Sequence, residues 1–149
     1  MIITFCGNSK ICETEKKILK DKILNYLDSQ KFEENIDFYL GGYGNFDGVA
    51  YYCCKQYKLK HPNAKLHFIT PYLDEKYLRV RDIIVDYDNI IYPNLESTPK
   101  KYCILKRNEW IIKNSDLVIA YIKYTFGGAA KMLEQAKKSP KKYINFAEI

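Results

Sequence analysis

The sequence predicts an α/β fold, built as a doubly wound, mainly parallel sheet with helices on both faces. Short apolar runs alternate with longer amphipathic segments along all 149 residues. Strands separated by helices join through right-handed crossovers, which make a parallel sheet covered on both faces. Two strands, residues 36–40 and 117–121, also lead into glycine pairs, at 41–42 and 127–128, that open helices. Such junctions predict a ligand cleft at the carboxyl ends of the strands.

The first half of the chain is predicted to contain three strands and two helices. Each strand is a short apolar run that ends at a glycine or at a threonine–proline pair, and each helix carries its apolar residues on one face. In the first helix, that face contains Leu19, Ile23 and Leu27. The elements are, in order, strand 2–6, helix 13–29, strand 36–40, helix 46–58 and strand 66–69.

The second half begins with a less regular stretch, residues 71–87, in which a short helix is allowed. Thr98 and Pro99 then indicate the start of a helix, because threonine suits the N-cap and proline suits the first turn. A polar turn at 114–116 ends that helix. The elements of this half are strand 89–92, helix 98–113, strand 117–121, helix 127–136 and strand 143–146.

Composition predicts one soluble globular domain spanning residues 1–149. The chain is 47% apolar and 28% charged, and no run approaches the roughly 18 apolar residues of a membrane span. Residues 1–7 lack a basic leader and break at glycine, so they are interpreted as a strand rather than a signal peptide. Five cysteines without a CxxC pair favour a reducing compartment, and we expect a cytoplasmic protein. The histidines and cysteines lack metal-ligand spacing, so neither a metal nor a cofactor is expected.

The net charge of +6 raises the question of nucleic-acid binding. The lysines are spread over helix faces with acidic residues between them, and the densest group, residues 137–142, flanks a helix end where cations suit the dipole. The sequence contains no zinc-finger, helix-turn-helix or RNA-recognition signature. We therefore expect nucleic acid to be an unlikely partner, whereas the basic surplus favours phosphorylated small molecules.

The predicted ligand site is the edge at which the parallel strands end. Glycine permits a positive φ and a close approach of ligand to main-chain N–H groups, and a helix start attracts anions. Tyrosine offers a flat face for a base and a hydroxyl for a ribose or phosphate. The candidate ligand-binding residues at this edge are Gly7, Asn8, Ser9, Gly41, Gly42, Tyr43, Gly44, Asn45, Phe46, Asp47, Tyr72, Tyr121, Thr125, Gly127 and Gly128.

Several residues at this edge also have a structural interpretation. Asp47 is either a first-turn carboxylate that suits the helix dipole or an acceptor for a ribose hydroxyl or an exocyclic amine. Asn8 and Ser9 are either helix caps or ligand contacts. Cys6 is interpreted as a small buried side chain, and Trp110 as a core or dimer contact.

Four motifs in this order resemble the SLOG superfamily, the Rossmann-like group named for Smf/DprA and LONELY GUY proteins. They are residues 5–9 (FCGNS), 39–47 (YLGGYGNFD), 106–110 (KRNEW), and 114–116 (NSD) leading to 127–131 (GGAAK). The resemblance covers nearly the whole chain and is strongest to small stand-alone members from Firmicutes and their phages. It implies a Rossmann-like fold.

The LONELY GUY branch hydrolyses the N-glycosidic bond of nucleoside 5′-monophosphates. The resemblance to it implies two catalytic residues: Arg107, on the helix before a strand, and Glu134, on the helix after the second glycine pair. Arg107 also suits a phosphate by its bidentate geometry, and Asn108 in the same motif is a further candidate ligand contact. The chain departs from these enzymes in a longer bridge at 122–126 and in Ala-Ala-Lys at 129–131.

Other members of the superfamily bind nucleotide signals without cleaving them. We therefore predict a protein that binds a phosphorylated nucleotide or an NAD-derived, cyclic ADP-ribose-type signal, as a sensor or as an anti-defence sponge. Phosphoribohydrolase activity on nucleoside 5′-monophosphates is the alternative, and single-stranded DNA binding, by analogy with the DprA branch, is a third hypothesis. Superfamily members commonly pair through helices next to the site, so a homo-oligomer is also expected.

Overall fold

A six-stranded sheet forms the centre of the computed structural model, which describes residues 1–42, 44–80 and 87–148. The strands are β1 (Ile2–Gly7), β2 (Asp37–Leu40), β3 (Lys65–Ile69), β4 (Asn89–Ile91), β5 (Leu117–Tyr121) and β6 (Lys142–Asn145). Their order across the sheet is β4-β3-β2-β1-β5-β6, and every pairing is parallel. The predicted doubly wound α/β class is confirmed, and this sheet is wholly parallel.

Five α-helices within the described ranges connect these strands. They are α1 (Glu13–Gln30), α2 (Gly44–Lys60), α3 (Glu75–Val80), α4 (Cys103–Asn114) and α5 (Gly128–Lys138). Two short 3-10 helices, Lys100–Tyr102 and Phe146–Glu148, precede α4 and follow β6. None of the helices among the residues described here is long and apolar enough to cross a membrane.

Apolar side chains cover both faces of the sheet. On one face, Leu19 and Ile23 of α1 and Phe46 of α2 belong to a buried cluster with strand residues such as Phe38. On the other face, the apolar sides of α4 and α5 pack in a second cluster that contains Val118 of β5. The predicted apolar face of the first helix is confirmed, since each of its three named residues is buried. The helices therefore sandwich the sheet as the alternating pattern predicts.

The main differences from the predicted elements occur at helix starts. The second helix begins at Gly44, two residues before the predicted start. The fourth begins at Cys103 behind the 3-10 turn Lys100–Tyr102, and neither this turn nor α4 has a side-chain cap hydrogen bond. Pro99 has extended backbone (φ −54°, ψ 137°), so Thr98 lies before the helical turn rather than at its cap. Residues 81–86 of the irregular stretch lie outside the described residues.

The strand order places a crevice beside β1. The chain builds β1 to β4 outward in one direction and then returns to add β5 on the other side of β1. β1 and β5 run in register up to the pair Gly7 and Tyr121 at their carboxyl ends. In open parallel sheets, ligands bind at the carboxyl edge where the strand order reverses. The topology therefore predicts a ligand site at the loops that follow β1 and β5.

Candidate functional site

A cavity of about 410 Å³ opens at the carboxyl ends of β1 and β5, between α4 and α5. Its volume lies in the range of about 300–1,000 Å³ that is typical of small-molecule sites. One part of the wall is apolar and is formed by Phe5, Cys6, Ile104, Ile111 and Met132. The polar and charged wall residues are Asn8, Ser9, Lys10, Asp47, Arg107 and Asn108. Tyr124, Phe126, Ala129 and the backbone of Gly7, Gly41, Gly127 and Gly128 complete the lining.

The structure brings about half of the predicted ligand-binding residues to this cavity. Those that line it are Gly7, Asn8, Ser9, Gly41, Asp47, Arg107, Asn108, Gly127 and Gly128. Those that do not line it are Gly42, Gly44, Asn45, Phe46, Tyr72, Tyr121 and Thr125. Tyr43 lies outside the described residues.

The glycines of the first junction are required by the packing of the protein itself. A Cβ on Gly42 would lie 2.6 Å from the Phe68 ring, and one on Gly44 would lie 3.1 Å from Ser9, while both residues have positive φ (68° and 83°). Packing and backbone conformation alone therefore account for glycine at these positions.

The glycines of the second junction differ, because space is open around them. Gly127 caps α5 with φ 97°, which favours glycine for its backbone alone. Gly128 has no such positive φ, and a Cβ there would meet no atom within 4 Å. Gly128 lines the cavity, and neither its backbone conformation nor packing within the protein accounts for glycine at this position.

Asn8 joins the two loops at the ends of β1 and β5. Its backbone N–H donates to Tyr121 O (3.1 Å), and its Oδ1 accepts from the Lys123 N–H (2.8 Å). The neighbouring Ser9 carbonyl accepts from the Asn45 N–H (3.0 Å). Neither residue caps α1, whose N-cap is Cys12. The side chain of Asn8 therefore stabilises the loops at the edge of the cavity through a hydrogen bond within the protein.

Arg107 is buried and holds backbone carbonyls. Its Nη1 donates to Ile69 O (2.8 Å) and to Gly41 O (3.3 Å), so it ties α4 to the ends of β3 and β2. Only 4% of the residue is exposed. Arg107, which the sequence predicts to bind a phosphate, therefore lies in the cavity wall, but some of its N–H groups donate to backbone carbonyls of the protein itself.

Asn108 presents a donor to the cavity. Its Oδ1 accepts from Nε of Arg107 (2.9 Å), which fixes the orientation of the amide. Its Nδ2 has no hydrogen-bond partner within the part of the chain that the structure describes. A ligand in the cavity can therefore supply the missing acceptor.

Cys6 and Asp47 interact electrostatically across the cavity wall. Burial raises the pKa of the Cys6 thiol to about 12, and the negative charge of Asp47 adds to this effect. The thiol is therefore protonated at neutral pH, which argues against a nucleophilic role and supports its interpretation as a small buried side chain.

Glu134, the predicted catalytic glutamate, does not line the cavity. Its side chain is 62% exposed and pairs with Lys137 one turn along α5 (3.6 Å). The cavity-facing residues of this helix include Ala129 and Met132 instead. The structure therefore does not bring Glu134 and Arg107 together around one reacting centre.

The hydroxyls of two predicted tyrosine contacts are used within the protein. Tyr72 donates to Lys100 O (3.2 Å), and Tyr121 donates to Glu15 Oε2 (2.6 Å). Glu15 also forms a short ion pair with Lys123, and hydrogen bonds from Lys123 and Tyr121 lower the pKa of Glu15 to about 2. This cluster anchors the start of the 122–126 bridge to α1.

Tyr124 lies in the stretch 121–128 that the sequence places at the ligand edge, but the predicted ligand contacts omit Tyr124, Phe126 and much of the cavity's apolar wall. Tyr124 and Phe126 are 53% and 74% exposed, and their rings stack with centroids 5.5 Å apart. On α4, Ile104 and Ile111 share with Arg107 and Asn108 the spacing i, i+3, i+4, i+7 of one helix face. This spacing could have indicated that the four residues share one face. However, apolar residues on one face of a helix can pack in the core or line a cavity, and the sequence does not distinguish the two.

Comparisons with known proteins support the fold. No protein-family model matches the chain. The chain is similar to the uncharacterized SPbeta prophage-derived protein YoqJ of Bacillus subtilis (strain 168), with 28% identity over 141 residues, covering 81% of each chain. Among solved structures, it is similar to DNA processing protein A of Helicobacter pylori, with a TM-score of 0.64, 17% identity and coverage of 96% of this chain. It is also similar to DNA processing protein A (DprA) of Streptococcus pneumoniae, with a TM-score of 0.52, 12% identity and coverage of 98%.

These likenesses confirm the Rossmann-like architecture. The two solved structures are DprA proteins, one of the groups for which the SLOG superfamily is named, and the prophage relative fits the Firmicute and phage type. The chain spans 63% and 59% of the lengths of the two DprA structures, less than two thirds of each.

The expectation that nucleic acid is an unlikely partner is wrong. The Helicobacter pylori protein, whose fold this chain shares, has a single-stranded DNA binding mode. The physical reason for the error is that helix-turn-helix, zinc-finger and RNA-recognition motifs are only some of the ways to bind nucleic acid. Binding to a single strand needs only a basic groove and aromatic faces for stacking, which leave no sequence signature of that kind.

Proposed function

We propose that the chain binds a nucleotide-derived small molecule in the cavity at the ends of β1 and β5. The observation that carries this proposal is the position of the cavity at the reversal of strand order, with Gly128 opening onto it. A nucleotide combines a flat base, a sugar with hydroxyls and an anion, and the lining offers a matching group for each.

The base is matched by the aromatic mouth. Tyr124 and Phe126 expose apolar ring area at the cavity's edge. Base stacking on aromatic faces is favourable by about 1–3 kcal/mol per base. The apolar wall that includes Ile104 and Met132 continues this surface inward.

The anion is matched by the start of α5 and by Lys10. A helix start offers unpaired N–H groups and the positive end of the dipole, and Gly128 is the first residue of α5. Lys10 lies exposed in the loop after β1 and has no ion-pair partner among the described residues. Together they favour a phosphate near the cavity's mouth.

Binding without turnover is the form of this proposal that the geometry favours. The phosphoribohydrolase alternative needs a carboxylate beside the glycosidic bond, and Glu134 lies outside the cavity. A sensor, or a protein that sequesters a phosphorylated nucleotide or a cyclic ADP-ribose-type signal, requires binding alone. A homo-oligomer stays a prediction.

Single-stranded DNA is the second candidate ligand. It is favoured by the likeness in fold to the Helicobacter pylori protein and by the exposed aromatic pair, which lines the same cavity as Lys10. Its affinity would fall steeply with salt, because each neutralised phosphate releases a counterion. Binding of a mononucleotide would respond much less to salt.

The test is to measure nucleotide binding to wild type and to Gly128→Ala by equilibrium dialysis. A methyl group added at this lining residue is expected to crowd a bound ligand, and such overpacking costs about 1–3 kcal/mol, which is about 5- to 150-fold in affinity. Gly48→Ala is the matched control, because Gly48 lies on α2 outside the cavity and its Cβ would also meet no atom within 4 Å. Equal binding by the two variants would place the ligand elsewhere.

A further inference from the structure

We propose that a basic groove between α4 and the end of α5 docks an extended, acidic segment of a partner protein. The groove has a volume of about 580 Å³ and is lined by residues of α4, of α5 and of the turn that follows α5. It shares none of these residues with the cavity at the ends of β1 and β5. This docking surface is therefore distinct from the nucleotide site of the proposed function.

One face of α4 forms the longer wall of the groove. Its four groove-lining residues have the spacing i, i+3, i+4, i+7 and are Lys106, Glu109, Trp110 and Lys113. This set is displaced by two residues from the set on α4 that lines the cavity, so at about 3.6 residues per turn the two sets lie on nearly opposite sides of the helix. The helix thus separates two surfaces of different chemistry.

Hydrogen bonds between the two walls fix the shape of the groove. Nε2 of Gln135 on α5 donates to Glu109 O (3.4 Å), and Nζ of Lys141 donates to Lys113 O (3.0 Å). The groove is therefore formed before a partner binds. A preformed surface lowers the entropic cost of docking.

The groove carries a surplus of positive charge. Three lysines and a single carboxylate line it. Glu109 pairs with Lys106 (3.3 Å), whereas Lys113 and Lys141 have no carboxylate partner among the residues that the structure describes. Lys141 uses one of its three N–H donors on the Lys113 carbonyl and keeps the others. Two ammonium groups are thus available to carboxylates of a partner.

The same part of the chain carries the net positive charge of the whole protein. Residues 100–142, which include α4 and α5, contain eleven basic and three acidic residues. Residues 1–99 contain 13 basic and 14 acidic residues. The resulting field steers a negatively charged partner towards the side of the molecule that forms the groove.

Uncharged groups in the groove match the other parts of a peptide. The half-buried Trp110 has an indole N–H without an acceptor in the described part of the chain, so it can donate to a peptide carbonyl or a carboxylate. The amide oxygen of Gln135 can accept from a peptide N–H. Leu95, in the loop after β4, adds apolar surface. Tryptophan is also among the residues that most often dominate binding at protein interfaces.

A peptide suits this groove better than a nucleic acid does. Trp110 is the single aromatic residue of the described lining, and Tyr39 already stacks on it with ring centroids 5.7 Å apart. Successive bases therefore find no series of stacking surfaces. Every nucleotide also carries a phosphate, which Glu109 would repel, whereas a peptide can place a neutral residue there. Lys106 and Lys113 lie about 10 Å apart along α4, which a few residues of extended chain, at about 3.3 Å each, can span.

The experiment uses the fluorescence of Trp110, because it is the only tryptophan of the chain and lines the groove. Oligoglutamate, oligoglutamine of the same length and oligothymidylate of the same charge are each titrated into wild type, Lys113→Glu and Lys131→Glu. Lys131 is an exposed residue of α5 outside the groove, so its variant makes the same change in charge without altering the lining. Circular dichroism of each protein confirms that it is folded.

We expect oligoglutamate to change the fluorescence of wild type and of Lys131→Glu in a saturable way and with similar affinity. Lys113→Glu should bind it about tenfold more weakly, since an attractive contact becomes a repulsive one. Oligoglutamine should have no effect. Lack of a saturable change with oligoglutamate in wild type, or equal affinity in all three proteins, would overturn the proposal.

Two other occupants of the groove would give different results. Tighter binding of oligothymidylate than of oligoglutamate, weakened by Lys113→Glu, would make the groove a nucleic-acid site. A change in the fluorescence of wild type on dilution alone would show that a second copy of the chain covers it. Either result contradicts docking of an acidic segment, and neither depends on whether the cavity binds a nucleotide.

Discussion

Replacement of Arg107 by methionine is expected to destabilise the protein strongly even when no ligand is present. The side chain is buried, and its donors hold Ile69 O, Gly41 O and the Asn108 amide oxygen. Methionine retains much of the apolar stem but supplies no donor. The change therefore separates the guanidinium's hydrogen bonds from the packing of its stem.

The magnitude follows from the acceptors left behind. An unsatisfied buried polar group costs about 1–3 kcal/mol. The bond to Ile69 O, at 2.8 Å, is buried and counts fully, whereas the bonds to Gly41 O and Asn108 are partly buried, so water can replace them in part. A total loss of about 3 kcal/mol is expected, which corresponds to a fall in Tm of about 6–12 °C for a domain of this size.

Thermal unfolding followed by circular dichroism measures this effect, with Arg79→Met as the control. Arg79 has a side chain that is 78% exposed and an exposed ion pair with Glu75 at 3.7 Å, so its loss should change stability by less than about 0.5 kcal/mol. If Arg107→Met melts at the wild-type temperature, the structural role assigned to the guanidinium is refuted.

Three further changes test other parts of the structure. Gly7→Ala puts a Cβ 2.2 Å from Cγ of Phe46. The free energy of unfolding should therefore fall by about 2 kcal/mol. An unchanged midpoint of urea unfolding would contradict this close approach. Iodoacetamide should label only Cys12 in the folded protein, because the other four cysteines are buried, and mass spectrometry showing a second rapid adduct would disprove it. Glu15 has its pKa lowered from 4.5 to about 2 by Lys123, so its stabilising effect is present above pH 4.5 and is lost as pH falls towards 2. Glu15→Gln should flatten this part of the Tm profile, and a profile parallel to that of wild type would exclude the ion pair as its cause.

The sequence predicts the fold well because the strand pattern depends on burial alone. The run 117–121 is a strand at the predicted bounds, β1 to β4 differ by one residue at one end, and β6 is shifted by one residue at both ends. Helix starts were less predictable, because they depend on local backbone conformation. At residues 98–103 the cap and proline signals indicate one helix, whereas the chain forms an extended Pro99, a 3-10 turn and then α4.

The site was predicted in position but only partly in composition. The carboxyl edge follows from the alternation of elements, and residues predicted there as ligand contacts, such as Asn8 and Gly128, line the cavity. The direction in which a side chain points does not follow from its position at that edge. Phe46 is buried against Gly7, and Tyr121 stacks on Phe46 and donates to Glu15, so their aromatic faces are used by the core.

The role of Arg107 shows a second limit of sequence reasoning. An arginine beside a predicted cleft suits a phosphate by its shape and charge. Whether its donors bind a ligand or backbone carbonyls depends on how close the ends of β2 and β3 lie to Arg107 on α4. That distance is a tertiary feature, and no local pattern encodes it.

The most direct test of nucleotide binding is to identify what the protein retains. We incubate each of three proteins, wild type, Gly128→Ala and Gly48→Ala, with a near-stoichiometric mixture of nucleoside monophosphates, NAD, ADP-ribose and its cyclic isomers. Unbound ligand is then removed and the protein is heated. Mass spectrometry identifies the molecules that the heated protein releases. An intact ribonucleotide or NAD-derived molecule is expected from wild type and Gly48→Ala in near-molar proportion, and far less of it from Gly128→Ala. Release of nothing from wild type, or equal release from all three proteins, would contradict a nucleotide site in this cavity.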